Sequence, residues 1–268
     1  MILACGPNET LDLEPPPVEL RRLSHFEYNN AGFDLLGDET HPADRFPEDP
    51  RVLGFDNNAT AQHPSPLLAE SYLLAAERLA KAVVDDPSRL AALVPCDPQA
   101  IDEACVRTFS QTFGRRAYRR PLSEDELDSL LSSYAKGEAE AGPRGGIQRI
   151  VERVLQSPWF LYRVELGVPS GAEDGALALT RYELAARLSL FLWASVPDDT
   201  LLDAAAAGEL QTPEQLEAQA WRMLDDPRAR AMVRHFHRQW LGLDRLREVS
   251  KSAVIFPEYK PEWGERML

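Results

Sequence analysis

The sequence predicts an all-α fold of several packed helical modules, and three observations carry that prediction. A capping box recurs at Ser24/Glu27, Ser123/Glu126 and Thr180/Glu183, each with a hydroxyl residue three positions before a Glu and an apolar pair around it. Ser65-Pro66, Asp97-Pro98, Ser157-Pro158, Thr212-Pro213 and Asp226-Pro227 each put a capping residue before a proline, which at the first helical position has no N–H to leave unpaired. Apolar residues then recur at helical spacing, while alternating patterns of strand type are absent at any length.

In chain order, residues 1–20 read as a tether, because Gly6-Pro7 and Pro15-Pro16-Pro17 with interspersed acids cannot bury apolar surface. Within them, Ile2-Leu3-Ala4-Cys5-Gly6 matches the end of a bacterial lipoprotein signal, so Cys5 is the expected lipidation site. The motif lacks the charged and long apolar regions of a full signal, and its place ahead of the tether favours a signal remnant. Residues 21–94 form the first expected module, with Leu68, Tyr72, Ala75, Leu79 and Val83 on one helix face. Residues 95–168 form the second, striped by Ile147, Ile150, Val151, Val154 and Leu155. Residues 176–268 form the third, where Leu184, Leu188 and Phe191 share one face. Ala229, Met232, Val233, Phe236 and Trp240 share a second face that could meet it.

One segment does not fit the helical grammar. The stretch 37–65 is too long and polar for a passive connection, yet Phe46, Val52, Leu53 and Phe55 would pin it down, so an ordered loop is expected.

With 268 residues, 44% of them hydrophobic, the chain can bury one large core or two smaller ones. A formal charge of -14 argues against nucleic acid as a partner, since phosphate binding needs a basic face. No apolar run is long enough to span a bilayer, so membrane attachment is expected only through a lipid on Cys5. The expected location is secreted, as a periplasmic or outer-membrane lipoprotein. An oxidising compartment permits a Cys96–Cys105 disulfide. A helix starting at Pro98 would hold those two Cα atoms roughly 12 Å apart, beyond disulfide reach. The disulfide therefore requires a helix start nearer Asp102.

Candidate sites are few. Asp49, Asp56 and Asn58 offer oxygen ligands in a flexible loop, the kind calcium takes, although the spacing fits no EF-hand and Asp and Asn also cap turns. Arg115, Arg116, Arg119 and Arg120 could clamp a carboxylate or phosphate, against a simpler reading as ion pairs with the chain's surplus acids. His235 and His237, two residues apart on a helix, point in opposed directions and cannot share a metal. Asp198-Asp199 and Asp225-Asp226 sit where helices begin and read as caps, and the five tryptophans as core and seam residues. Phosphate loops, nucleophile elbows and zinc-protease motifs are absent from the sequence.

Several segments carry a family resemblance. RRLSHFEYNNAGFDLLGD with FPEDPRVLGFDNNA and SPLLAESYLLAAERLA resembles the first domain of a group of secreted bacterial proteins abundant in planctomycetes and myxobacteria. FGRRAYRRPLS with LQSPWFLYRVE resembles their second domain. LALTRYELAARLSLFLWASVPDDTLLDAAAAGEL, with RMLDDPRARAMVRHFHRQWLGLDRL, resembles their third, the domain of unknown function 1592. That family often accompanies c-type cytochrome domains, which implies a cytochrome or another envelope protein as partner. This chain has no Cys-x-x-Cys-His, so no haem attaches to it by that signature. Relatives continue beyond the Phe256-Pro257-Glu258-Tyr259 segment, so the third module reads as truncated, with apolar surface left bare. The leading functional expectation is an envelope-associated helical scaffold or binding component. The alternatives are a fragment of a periplasmic redox enzyme whose cofactor-bearing part is missing, and a carbohydrate-binding module.

Overall fold

Capping side chains open the helices where the sequence places them, with one displacement. The computed structural model describes residues 20–169, 176–247, 249–252, 254–260 and 262–263, so Cys5 and most of the tether lie outside the described residues. Ser24, Ser123 and Thr180 form complete capping boxes for α1 (His25–Leu36), α5 (Glu124–Leu155) and α7 (Arg181–Leu192). Ser65, Ser157, Thr212 and Asp226 cap α2 (Pro66–Asp85), α6 (Pro158–Leu161), α9 (Pro213–Leu224) and α10 (Pro227–Trp240). Asp198 caps α8 (Asp199–Ala207), as the acidic pair there suggests. The same grammar at Asp86-Pro87 opens α3 (Pro87–Leu93), a start the sequence reading passed over.

The displaced start is at Asp97. Its side chain accepts from Gln99 N at 2.9 Å, which closes a turn instead of a helix. The next helix, α4 (Glu103–Ala117), begins behind Asp102, whose carboxylate accepts from Cys105 N at 2.8 Å. Taking up residues 97–101 as a turn brings the Cα atoms of Cys96 and Cys105 to 5.8 Å, and the disulfide forms.

Helix α5 breaks at Ala141 and Gly142, where Gly142 takes a φ of 73° ahead of Pro143. Its two halves fold back so closely that a Cβ on Gly137 would stand 2.4 Å from the Gly145 carbonyl oxygen. Any side chain there would pry the halves apart.

One continuous core joins the first two modules. It includes Tyr28, Leu79, Phe109, Ile150, Val154 and Phe160, and the predicted stripes of α2 and α5 are fully engaged in it. A short antiparallel pair, β1 (Arg21–Arg22) with β2 (Tyr162–Arg163), ties the start of the first module to the end of the second. A second pair, β3 (Val168–Pro169) with β4 (Leu177–Ala178), leads into α7. The third module has its own smaller core of Ala185, Trp193, Leu201, Ala205, Leu210 and Met223. Trp193 anchors it, with Nε1 donating to Met223 O at 2.9 Å and the Arg228 guanidinium 3.5 Å above the ring. This module docks on α1: Ser195 Oγ donates to Asp34 at 2.6 Å, and Asn30 donates to Ala194 O at 3.2 Å.

Two expectations fail in the third module. The Ala229–Trp240 stripe does not face the Leu184–Phe191 stripe across a core, because Phe191 is 69% exposed and Trp240 61% exposed. Of α10 only Ala229 and Gln239 are buried. Periodicity assigns residues to a common face, but a face is buried only when another element covers it. The tryptophans divide likewise: Trp193 is buried, whereas Trp221, Trp240 and Trp263 are exposed.

Candidate functional site

The long loop is held at both ends of α1 and then laid across α10, and this seam gathers the candidate residues. Gly37 closes α1 in the left-handed conformation, with its N–H on Phe33 O. A 3-10 turn over Pro42–Arg45 returns to α1, where Asn29 accepts from Ala43 N at 2.9 Å and donates to Asp44 at 2.8 Å. Phe46 then packs against the rings of Tyr28 and Tyr72.

Asp49 comes back to the head of α1. One oxygen accepts from His25 N at 2.9 Å, and the other meets the Arg22 guanidinium and lies 3.3 Å from His25 Nε2. Arg22 is buried and also donates to Tyr72 Oη at 2.8 Å. Burial lowers the basicity of this guanidinium, but Tyr72 and Asp49 outweigh it and raise the pKa. For His25 burial dominates over Asp49, and its pKa is lowered, so the neutral ring is favoured.

Beyond Asp49, Val52 and Phe55 pair across a two-residue turn made by Leu53 at φ 54° and Gly54 at φ 93°. Two left-handed central residues make this a primed hairpin turn, and its first position normally goes to Asn, Asp or Gly. Leu53 is instead 94% exposed there. The tip lies on α10: Gly54 sits against the Gln239 carbonyl, and Phe55 stacks on Phe236 with ring centroids 5.6 Å apart. Phe236 in turn stacks on Trp240 at 6.0 Å.

Asp56 locks the seam. Its N–H donates to Gln239 Oε1 at 2.9 Å, and its carboxylate lies 3.4 Å from His235 Nε2. Burial pushes the Asp56 carboxyl up, but the contacts from His235, Gln239 and its own backbone amide outweigh that and lower its pKa. His235 stacks on Phe26 at 3.9 Å with nearly parallel planes. His237 turns the other way, its Nδ1 2.7 Å from Val233 O. The opposed directions read from the two-residue spacing hold.

Asp49 and Asp56 therefore share one polar seam, each already engaged by protein groups, while Asn58 caps its own 3-10 turn through Thr60 N at 2.9 Å. Among the described residues, no three of the His, Cys, Asp and Glu side chains are arranged to hold a metal ion.

The four arginines are not brought to one point. Arg115 pairs with Asp199 and Asp203, and Arg116 donates to Asp34 O at 2.8 Å. Arg120 forms a two-pronged pair with Glu126 at 2.7 and 2.8 Å, and stacks 4.2 Å over Trp159. Arg119 is buried at φ 61°, and its Nη2 donates to the carbonyls of Trp159, Phe160 and Tyr162 at 2.9, 3.0 and 2.7 Å. It thus closes the end of α6, where orphan carbonyls need donors. Burial lowers its pKa to about 10. Sequence reasoning missed this role and the seam, because both depend on partners distant in the chain.

No helix among the described residues is long and apolar enough to cross a membrane. Three family models match in order: DUF1587, described as PSD3, over residues 21–85; DUF1595, described as PSD5, over 105–165; and DUF1592, described as PSD4, over 179–268. All three are described as proteins of unknown function. A search of curated proteins and one of solved structures found no match.

Proposed function

Because this chain belongs to the family of proteins that carry these three domains of unknown function, we propose that it is a binding component of an envelope assembly. It seats a protein partner on the surface made by the loop tip and α10. The observation that carries this reading is the Leu53 tip. A large apolar side chain stands in solvent on a left-handed backbone, beside the exposed Phe236 and Trp240. Strain and apolar exposure concentrated in one place are characteristic of recognition surfaces. Aromatic anchors of this kind dominate interface energetics.

The rim suggests the partner's chemistry. Arg230 and Arg234 are exposed on α10 and form no ion pair among the described residues, on a chain of net charge -14. Because Arg234 stands on another side of α10 from Phe236, the aromatic face calls for an apolar ridge and the arginine side for carboxylates beyond it. A c-type cytochrome is the partner that the family's usual company suggests, in a periplasmic or outer-membrane setting with Cys5 as anchor.

The test is calorimetric titration of the chain with a c-type cytochrome from the same genome, beside the Trp240→Ala variant. Saturable binding that weakens about thirtyfold in the variant is expected for an aromatic anchor. Absence of binding, or equal binding by the two chains, would refute the proposal. The exposure of Trp221, Trp240 and Trp263 favours one second reading, a carbohydrate surface. Quenching of tryptophan fluorescence by soluble oligosaccharides would decide for it.

A further inference from the structure

A cup of about 260 Å3 opens between the start of the long loop, α2 and the first turn of α3. Pro42 and Leu79, both buried, form its apolar base. Three guanidiniums line it, Arg45 from the loop, Arg78 from α2 and Arg89 from α3, on a chain of net charge -14.

The positive charges at this cup are not matched. Among the described residues that line it, Asp38 carries the single carboxylate. That group is sealed away at 3% exposure, and it accepts from Thr40 N at 3.2 Å and from Thr40 Oγ1 at 2.9 and 3.0 Å. Arg89 Nη2 lies 3.9 Å from it, beyond hydrogen-bond reach, and donates to Gly37 O instead. Arg45 and Arg78 form no ion pair among the described residues. Arg78 uses Nε, on Leu74 O at 3.2 Å, and its two terminal nitrogens are left over. The Arg45 side chain donates to no described residue. Both side chains are exposed, so their unused donors face solvent and are open to a ligand. One buried carboxylate against three arginines leaves a local excess of two positive charges.

We propose that this cup binds a phosphate group, as the free dianion or at the end of a monoester. A tetrahedral oxyanion offers acceptors on several sides, so guanidiniums from three different elements can each reach one. A carboxylate presents its acceptors in one plane and satisfies a single fork. The cup is smaller than sites that enclose a drug-sized ligand, which suits one phosphate group with any remainder of the molecule outside. The site shares no residue with the α10 surface and stands or falls separately from it.

Inorganic phosphate and glycerol 1-phosphate are the probes, with acetate as the planar anion, read by calorimetry on the full chain at pH 7.5 and constant ionic strength. At least one phosphate probe is expected to saturate with a Kd of about 1 mM or tighter, and acetate to bind at least about tenfold more weakly. Tighter binding of glycerol 1-phosphate would support an esterified occupant, and equal or tighter binding of inorganic phosphate would support the free anion. Arg45→Gln and Arg78→Gln change exposed side chains and should each weaken binding about tenfold. Arg107→Gln, exposed on α4 and outside the cup, removes the same charge and should leave Kd within about twofold. No saturation by either phosphate probe, equal affinity for acetate, undiminished binding in Arg78→Gln, or an equal loss in Arg107→Gln would each overturn the proposal.

Discussion

The body formed by the first two modules and the third module use the same helix-start grammar and reach opposite results. In the first, the stripes of α2 and α5 meet partners and vanish from the surface. In the third, a small alanine-rich core around Trp193 satisfies part of each helix, and Phe191, Val233, Phe236 and Trp240 stay in solvent. Caps act within one turn of chain and work wherever they occur. Burial requires a second surface, and amphipathic helices short of partners become surfaces themselves. The contrast separates a region whose helix faces are covered from one whose faces are left in solvent.

Paired substitutions break that contrast most directly. Phe109 is fully buried and stacked on Phe113 at 5.3 Å, so Phe109→Ala should cost about 3–5 kcal/mol in chemical denaturation. Phe191→Ser should stay within about 0.5 kcal/mol of the parent, since an exposed ring has little burial to lose. A comparable loss from Phe191→Ser would mean that this face is covered after all. The disulfide comes next. Cys96 and Cys105 close a short loop within the first body, and their replacement by Ser should remove about 2.5 kcal/mol by loop entropy. Reducing agent should lower Tm in the parent and leave the double-Ser chain unchanged.

These expectations show what was legible in the sequence and why. Helix starts were readable because Ser24, Ser123 and Thr180 bond within three residues of themselves. The later helix start was readable because a Cys96–Cys105 disulfide, expected from an oxidising compartment, could close only if the helix began near Asp102. The ordered loop was suggested by its apolar residues, but its destination was not. Asp56 and Gln239 are 183 residues apart, and no local pattern encodes their meeting. Arg119 shows the same limit. Its neighbours in sequence suggest a charge cluster, whereas its function is set by carbonyls about forty residues on.

The seam also makes the two regions respond to pH together. The His25 pKa is lowered in the folded chain, chiefly by burial, so the unfolded chain binds the extra proton first. Its contribution is therefore fully present above the ordinary histidine pKa and is lost as pH falls through the range below it. The lowered Asp56 pKa acts in the same sense at more acid pH, below the ordinary carboxylate value. Denaturation midpoints measured from pH 7.5 to 5 should fall, and His25→Gln should flatten that slope. A parallel slope in the variant would remove His25 from the account.

The smallest expected effect separates recognition from stability most sharply. Leu53 holds a left-handed backbone that costs a non-glycine residue about 1 kcal/mol, and its side chain gains almost nothing in return at 94% exposure. Asn is at ease at this turn position, so Leu53→Asn should stabilise the chain by about 0.5–1 kcal/mol and raise Tm by a few degrees. The hairpin contacts of Val52, Phe55 and Asp56 do not involve the replaced side chain and should survive. If the tip exists for a partner, the same variant must bind that partner less tightly while being more stable alone. Stabilisation with undiminished binding would detach Leu53 from recognition. Destabilisation would mean that the leucine supports the fold in a way its exposure conceals. Only opposite movement of the two quantities makes the strained leucine a functional feature of the surface it caps.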